Sequence, residues 1–308
     1  MWSRRNFIQR SSAAGATLMV PGWINGSSIF GGELSRLVIL HTNDTHSRIE
    51  PFPDDGSRNA GLGGAARRAS LIEALRKENE HVLLFDSGDI FQGTPYFNFF
   101  GGELDIKLMA EMGYDATTMG NHDFDGGLEN YEKHMREQGN FPLIISNYDF
   151  SETVMHNRYV SRKIFQKGNM KIGVTGVGIE LNGLVPGALY GATRYLDPIQ
   201  HATEQANILK HDEKCDLVIC LSHLGYKYDS KKVSDIHLAQ NSESIDLILG
   251  GHTHTFMDAP DTQRNKKGDP VVIHQVGWAG MRLGKIDVTF ERNMKNKCVT
   301  CDGIWVKN

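Results

Sequence analysis

Residues 37–46 read LVILHTNDTH, an apolar run of strand length that ends directly in two functional side chains, Asp44 and His46. The run consists of apolar and β-branched residues, which predicts a buried strand. Carboxylate and imidazole groups serve as metal ligands and as acid–base groups. Open α/β sheets bind their ligands outside the carboxyl ends of their strands. The stretch therefore predicts an α/β fold whose strands deliver functional groups at their ends.

Four further apolar runs along the chain end in the same way. The polar residues that follow them are Asp89 in a Gly-Asp turn, then Asn121, His122 and Asp123 in one Gly-Asn-His-Asp turn, then His223, and finally His252 and His254 in Gly-Gly-His-Thr-His. Taken singly, each motif is also explained by a polar turn or a hydrogen-bonded core histidine. Five such motifs at five strand ends indicate loops that converge on one site.

Strand-length apolar runs alternate with helical patterns along the chain, without an internal repeat, a low-complexity segment or a Pro/Ser-rich linker. Strands are predicted at 37–41, 82–86, 116–119, 143–146, 171–177, 216–221, 245–249 and 271–276, and helices at 65–77, 102–112 and 197–211. Two further strands are predicted at 285–290 and 299–306. This order predicts one domain, residues 33–308, of two packed sheets flanked by helices.

The composition is that of an ordinary globular protein. Hydrophobic residues make up 40% of the 308 residues and charged residues 23%, and the net charge is −4. A protein that binds a nucleic-acid polymer usually carries a basic surface field, so this class is not expected.

The first 32 residues predict a signal segment. They contain Arg4, Arg5 and Arg10 and no acidic residue, and the sequence around Arg4 and Arg5 resembles a twin-arginine export signal. The apolar stretch at 13–20 is too short to span a membrane, which takes about 20 residues. We therefore expect a periplasmic or secreted protein without a membrane span.

Two further features leave alternatives open. Cys298 and Cys301, separated by two residues, form either a disulfide or two idle thiols. An aromatic run is explained by core packing or by an exposed wall that binds a substrate or another protein; it comprises Phe91, Tyr96, Phe97, Phe99 and Phe100.

The ligand types at the strand ends indicate two divalent metal ions. Mixed carboxylate, amide and imidazole ligands suit Mn²⁺, Zn²⁺ or Fe²⁺ better than a structural zinc site rich in cysteine. Seven candidate ligands are too many for one catalytic ion and fit two if one carboxylate bridges; they are Asp44, His46, Asp89, Asn121, His223, His252 and His254. Two cations stabilise the charge that spreads over a phosphate ester during hydrolysis, so phosphate esters are the expected substrates.

The order Asp-x-His, Gly-Asp, Gly-Asn-His-Asp, His, Gly-His-x-His resembles the calcineurin-like metallophosphoesterases. The segments 37–47 and 119–125 resemble the two signatures of the 5′-nucleotidase/UDP-sugar hydrolase branch, and the resemblance covers about residues 36–290, the catalytic domain only. It implies a four-layer α-β-β-α sandwich.

The resemblance also implies a role for each site residue. Asp44, His46 and His254 would hold the first ion, Asp89 would bridge the two, and Asn121, His223 and His252 would complete the second. His122 would be the catalytic histidine and Asp125 would orient it. Reaction would proceed by direct attack of a metal-bound hydroxide.

The function predicted from these features is hydrolysis of phosphate monoesters, with a nucleotide as the small-molecule substrate. Full-length 5′-nucleotidases of this branch carry a C-terminal domain that grips the nucleoside, and this chain ends at Asn308. Either a separate protein of that C-terminal type supplies it, or the substrate is another ester, such as a cyclic phosphodiester or a sulfur-linked ester. A further alternative is a non-catalytic subunit that binds metal or nucleotide and acts through a partner.

Overall fold

The structure, a computed structural model, describes residues 34–291 and 297–307. The predicted signal segment, residues 1–32, lies outside the described residues. Within the described ranges, no helix has both the length and the apolar character needed to cross a membrane.

Strands account for about half of the regular structure within the described residues. In chain order they are β1 (Ser35–Thr42), β2 (Val82–Asp86), β3 (Ala116–Thr117), β4 (Tyr148–Asp149), β5 (Arg162–Lys167), β6 (Met170–Val177), β7 (Arg194–Tyr195), β8 (Leu217–Ser222), β9 (Leu247–Gly250), β10 (Asp261–Arg264), β11 (Pro270–His274), β12 (Arg282–Phe290) and β13 (Lys297–Trp305).

Helices lie between the strands. They are α1 (Ala65–Glu78), α2 (Pro95–Phe100), α3 (Glu103–Met112), α4 (Leu128–Gln138), α5 (Gly187–Tyr190), α6 (Pro198–Asn207) and α7 (Asp235–Asn241), with a 3₁₀ turn at His122–Phe124 and a π-helical turn at Ile208–Asp212. The end of α3 shows how the sequence sets these bounds. Gly113 adopts a left-handed φ of 70° and donates its N–H to Met109 O, a C-cap for which glycine is the favoured residue.

The strands form two large sheets. The first has the order β13-β12-β1-β2-β3, and the second has the order β10-β11-β9-β8-β6-β5. The strands β1, β2 and β3 run parallel to one another, and so do β6, β8, β9 and β11. Strands β2 and β8 are buried along their whole length, as parallel strands covered on both faces should be.

Alternate residues of each strand face different layers. Ile39 and Phe85 of the first sheet pack against residues such as Ile219 of the second sheet. On its other face, the first sheet packs against α1, α3 and α4 through Ile72, Ile106 and Tyr131, and the second sheet packs against α6 and α7 through Ala202 and Leu238. Burial of each large aliphatic side chain contributes about 1.5–3 kcal/mol. The predicted four-layer α-β-β-α sandwich is confirmed.

The predicted strand at 143–146 is wrong. This segment makes only single bridges, Thr117 with Leu143 and Ile144 with Val160. Ile144 donates its N–H to the first sheet at Thr117 O, and Ser146 donates to the second sheet at Gly176 O. Because the segment divides its backbone hydrogen bonds between two sheets, it forms no ladder with either.

The structure describes the residues of both features whose interpretation was open. Cys298 and Cys301 are free, and because they lie three positions apart on β13, their side chains point to opposite faces of the sheet. In the aromatic run, Phe91 is buried in the core and Phe97 packs against it, whereas Phe99 is 81% exposed and Phe100 49% exposed.

Candidate metal centre

The five motif loops leave the two sheets at neighbouring strand ends. Asp44, Asp89 and Asn121 follow the parallel strands β1, β2 and β3, and His223 and His252 follow the parallel strands β8 and β9. Neighbouring parallel strands have their carboxyl ends on the same side of the sheet, so the loops that follow these strands lie next to one another. The two sheets then bring both sets of loops to the same place.

The backbone of these loops is strained where the ligands lie. Five of the seven candidate ligands have a left-handed φ: Asp44 (52°), His46 (50°), Asp89 (55°), His252 (72°) and His254 (51°). A non-glycine residue in this region costs about 1–3 kcal/mol and persists only where the surroundings impose it. Such residues are typical of functional sites.

Asp44, His46 and His254 form a first group of ligand atoms. Their ligand atoms all lie within 4.8 Å of one another. Asp44 Oδ1 is 3.3 Å from His254 Nε2, and the Nε2 atoms of His46 and His254 are 3.0 Å apart. Two imidazole nitrogens that point towards each other beside a carboxylate have the arrangement of ligands around a cation.

Asp89, His223 and His252 form the second group, also within 4.8 Å. His223 Nε2 lies 3.1 Å from Asp89 Oδ2, and the rings of His223 and His252 are 5.4 Å apart between centroids. Asp89 and His223 are buried, which removes their charges from water.

The two groups adjoin each other. Asp89 Oδ2 of the second group lies 4.0 Å from His46 Nε2 of the first. Asp44 Oδ1 of the first group lies 3.9 Å from His223 Nε2 of the second. The carboxylates therefore stand between the two sets of imidazoles, and the six side chains form one continuous centre.

Hydrogen bonds leave the Nε2 atoms free to bind metal. The other ring nitrogen, Nδ1, lies 2.6 Å from Ser87 O in His223 and 3.2 Å from Phe91 O in His46. A carbonyl only accepts, so Nδ1 must donate and Nε2 keeps its lone pair in the neutral ring. Partners of this kind commonly fix the tautomer of metal-bound histidines.

The electrostatics of the centre favour positive charge. Burial lowers the pKa of His223, but the negative charges of Asp89 and Asp44 outweigh it and raise this pKa to about 10. Burial and the charge of His223 lower the pKa of His252 to about 3. The two buried carboxylates thus favour the protonated, positively charged His223. A divalent ion bound between them would balance their negative charge more completely than this proton does.

Asn121 and His122 lie in the loop after β3. Asn121 is buried, and its Oδ1 has no hydrogen-bond partner among the described residues. The backbone N–H of His122 donates to Asp89 Oδ1 at 2.7 Å, which attaches this loop to the second group.

The His122 side chain stands at the mouth of the centre. It is 39% exposed, and its ring lies 5.3 Å from the His46 ring between centroids. Its Nδ1 is 2.8 Å from Asp125 Oδ2. Burial lowers the pKa of His122, but Asp89 and the hydrogen bond to Asp125 raise it above its ordinary value overall. The position suits a group that gives or takes a proton at a bound substrate.

Sequence reasoning assigned no role to several residues that hold the candidate ligands in place. Asp123 accepts backbone N–H groups from the loops after β2 and β3. Asn43 donates from Nδ2 to Asp44 Oδ2 at 2.7 Å and to Gly277 O at 2.6 Å, and Gln275 accepts from Thr255 N and donates to Gly251 O. Asp123 belongs to the Gly-Asn-His-Asp motif, so the sequence could have indicated its role. Gln275 follows a strand that ends in no such motif.

Comparison with known proteins agrees with this geometry. The family description "Calcineurin-like phosphoesterase" matches residues 37–256. The snake venom 5′-nucleotidase of Gloydius brevicauda is 31% identical over 305 residues, which cover 92% of this chain and 50% of that protein. The trifunctional nucleotide phosphoesterase protein YfkN of Bacillus subtilis is 31% identical over 288 residues, which cover 83% of this chain and 18% of that protein.

A solved structure with a similar fold is that of a 5′-nucleotidase precursor from Thermus thermophilus. It matches with a TM-score of 0.79 and 27% identity, over 89% of this chain and 55% of that chain. This chain therefore spans about half or less of the length of these three proteins. By the family match over most of its length, the chain belongs to the calcineurin-like phosphoesterases, as its motifs predict.

Proposed function

We propose that this chain is a hydrolase that uses two divalent metal ions to cleave phosphate monoesters, with nucleotides as substrates. The observation that carries the proposal is the pair of adjoining ligand groups with His122 at their mouth. The names of the relatives, 5′-nucleotidase and nucleotide phosphoesterase, support the substrate class.

The residues present fit two divalent ions. Asp44, His46 and His254 would hold one ion, and His223, His252 and Asn121 the other, with Asp89 shared. The position of Asp89 between His223 and His46 supports its bridging role, and the unpartnered buried Oδ1 of Asn121 supports a ligand there. When bound, such ions activate water and neutralise the charge on the phosphoryl oxygens.

His122 would act on the substrate directly. Asp125 accepts from Nδ1, and the raised pKa of His122 favours the charged ring, in which Nε2 also carries a proton that it would donate to a bound ester. That proton would go to a phosphate oxygen or to the oxygen of the leaving alcohol. Asp125 would fix the orientation of the ring and stabilise its charged form, as carboxylates beside catalytic histidines do.

The remaining partner and location predictions are proposals of the same kind. A separate protein of the 5′-nucleotidase C-terminal type would complete the nucleoside site, and the exposed rings of Phe99 and Phe100 support a contact surface of this kind. The arginine pair near the N-terminus supports twin-arginine export to the periplasm or beyond.

Metal analysis of the purified chain, with phosphate release measured on the same sample, tests the proposed function. The panel holds a nucleoside monophosphate, an aryl phosphate, a cyclic phosphodiester and a sulfur-linked ester. Metal binding with hydrolysis of the monoesters is expected. Preference for one of the last two substrates would favour the other-ester alternative, and bound metal without any hydrolysis would favour the non-catalytic one.

Two substitutions separate metal binding from proton transfer. Asp89→Ala removes the shared carboxylate, so both metal content and turnover should be lost. His122→Ala should retain the metal and lose about 10²–10⁴-fold in kcat, the range for a general acid or base. Asp229→Ala, an exposed carboxylate, is the control and should change neither. Full activity of Asp89→Ala would refute the bridging role.

A further inference from the structure

A lysine lies in the loop that follows one of the candidate metal ligands. Lys232 belongs to the loop between β8 and α7, which begins at His223. Its Nζ lies 4.7 Å from the centre of the Tyr228 ring, a cation–π contact. The side chain is partly buried, and burial lowers the pKa of Lys232 more than the charge of the exposed Glu180 raises it. The ammonium is therefore held over a ring instead of extending freely into solvent.

The Tyr228 ring is fixed next to Thr253, the residue between the last two candidate ligands. Tyr228 Oη donates to Leu224 O at 2.6 Å, across Gly225. A Cβ placed on Gly225 would lie 2.2 Å from Tyr228 Oη and 2.8 Å from Thr253 Cγ2, so both side chains pack against this bare backbone. The N–H of Tyr226 donates to Thr253 Oγ1 at 3.0 Å. The ring that supports Lys232 is thus attached to the loop that carries two ligands.

The charge of Lys232 acts on the metal centre. It is one of the charges that lower the pKa of His252, after burial and the charge of His223. Lys232 therefore opposes positive charge at the second ligand group, and bound divalent ions would increase this repulsion. Within the described ranges, its ammonium forms no salt bridge that would offset the repulsion. An anion bound between the ammonium and the ions would be attracted by both.

Lys232 and His122 belong to different sides of the centre. The His122 ring lies 5.3 Å from the ring of His46 in the first group, whereas the charge of Lys232 acts on His252 in the second. A lysine ammonium has three N–H donors and binds phosphate as a compact point charge. Phosphoryl oxygens that the metal ions do not hold would accept hydrogen bonds from it. The lysine therefore fits the anionic group of a substrate at the centre.

We propose that Lys232 binds a phosphoryl oxygen of the substrate and thereby selects dianionic phosphate monoesters over monoanionic phosphodiesters. The inference rests on the proposed function, since the phosphate must lie at the metal centre. A phosphate monoester carries about two negative charges above pH 7, whereas a diester carries a single one. Attraction by a fixed positive charge is proportional to the charge of the ligand, so the monoester gains more from Lys232.

The test compares two esters with the same aryl leaving group on the full chain loaded with Mn²⁺. The compound para-nitrophenyl phosphate is a dianion, and its methyl diester is a monoanion. Lys232→Met keeps an unbranched apolar side chain over Tyr228 and removes the charge. It should raise KM for the monoester about tenfold, the equivalent of ~1.4 kcal/mol. The constant for the diester, measured as KM or as an inhibition constant, should rise only about threefold, because its charge is half as large.

Lys231→Met is the matched control, because Lys231 is the exposed neighbour and carries the same charge. It should change neither constant. Lys232→Arg, which keeps the positive charge, should retain most of the parental affinity for the monoester. Equal increases for both esters in Lys232→Met, or no increase, would overturn the inference. An equally large increase in Lys231→Met would overturn it as well, because the loop would then act only through its general charge.

A binding measurement separates this inference from the proposed function. The Kd of inorganic phosphate is measured by equilibrium dialysis for the Mn²⁺-loaded parent and for Lys232→Met, with metal analysis of the same samples. Lys232→Met should bind phosphate about tenfold more weakly, the equivalent of the change in KM, and keep the parental metal content, because removal of a cation does not weaken the binding of metal ions.

The outcomes of this measurement are distinct. If the parent hydrolyses no ester, the proposed function fails, yet weaker phosphate binding by Lys232→Met would still support the phosphate contact. A lower metal content in Lys232→Met would mean that Lys232 only supports the ligand loops and would overturn the inference. An unchanged Kd, or a parent that binds no phosphate, would overturn it even if esters are hydrolysed.

Discussion

Asp123 joins two of the loops that carry candidate metal ligands. Its carboxylate accepts the backbone N–H groups of Ile90 at 2.8 Å, Gly120 at 2.8 Å, Asp89 at 3.0 Å and Phe91 at 3.2 Å. Four donors converge on one buried acceptor, so the position of Asp89 depends on a side chain that does not itself contact the cation site. The strained φ of Asp89 is maintained by contacts of this kind.

Asp123→Asn tests this positioning role. Asparagine has nearly the same shape, but its Nδ2 is a donor and would face backbone N–H groups that are also donors. We expect a loss of about 1–3 kcal/mol in the free energy of unfolding and a lower metal content. Urea unfolding and metal analysis measure the two effects. Asp229→Asn, at an exposed position, is the control, and a fully metal-loaded Asp123→Asn of parental stability would contradict the role.

Among the elements, strand β12 shows how a glycine makes room for a buried side chain. Gly284 pairs with His41 of β1, and a Cβ placed on Gly284 would lie 2.1 Å from His41 Nε2. His41 lies between the sheets, where its Nε2 is 2.8 Å from Nδ1 of His274 on β11. The absence of a side chain at Gly284 therefore permits a contact between the two sheets.

Gly284→Ala should be destabilising. The added methyl group must displace the His41 ring within a closely packed core, which typically costs about 1–3 kcal/mol. Gly303→Ala is the matched control. Gly303 lies on β13 opposite Gly284, and the nearest atoms to its added Cβ belong to the flexible Arg282 side chain, at 3.2 Å. Chemical denaturation of both variants measures the difference. Equal stability of the two would contradict the packing argument.

Some strands could be predicted from sequence patterns and others could not. Runs such as Val82–Asp86 were predictable because a strand buried on both faces is apolar throughout. Strand β5 was not predicted, because three of its six residues are charged and it has no apolar run. The segment 143–146 was predicted wrongly, because hydrogen bonds to separate parts of the fold decide its structure. At the site, ligand types at strand ends could be read from the sequence. The supporting residues Asn43 and Gln275 depend on contacts between distant loops that no local pattern encodes.

For the whole molecule, the buried His41–His274 pair couples the packing of the sheets to pH. Burial and the charge of Arg282 lower the pKa of His274 from 6.5 to about 4, and burial and the charge of His274 lower the pKa of His41 well below its ordinary value. Both imidazoles are thus neutral in the folded protein at neutral pH. In the unfolded chain, an imidazole takes up a proton near pH 6.5.

Stability should therefore fall as the pH decreases from 6.5 towards 4. In this window, the unfolded chain binds protons that the folded core excludes, and proton binding to the unfolded state favours unfolding. His274 alone would contribute on the order of 3 kcal/mol across the window. The free energy of unfolding, measured by denaturant titration at several pH values, should fall less steeply in His274→Gln than in the parent. His156→Asn, at an exposed position, should keep the parental slope, and an equally steep slope in His274→Gln would show that acid acts on other groups.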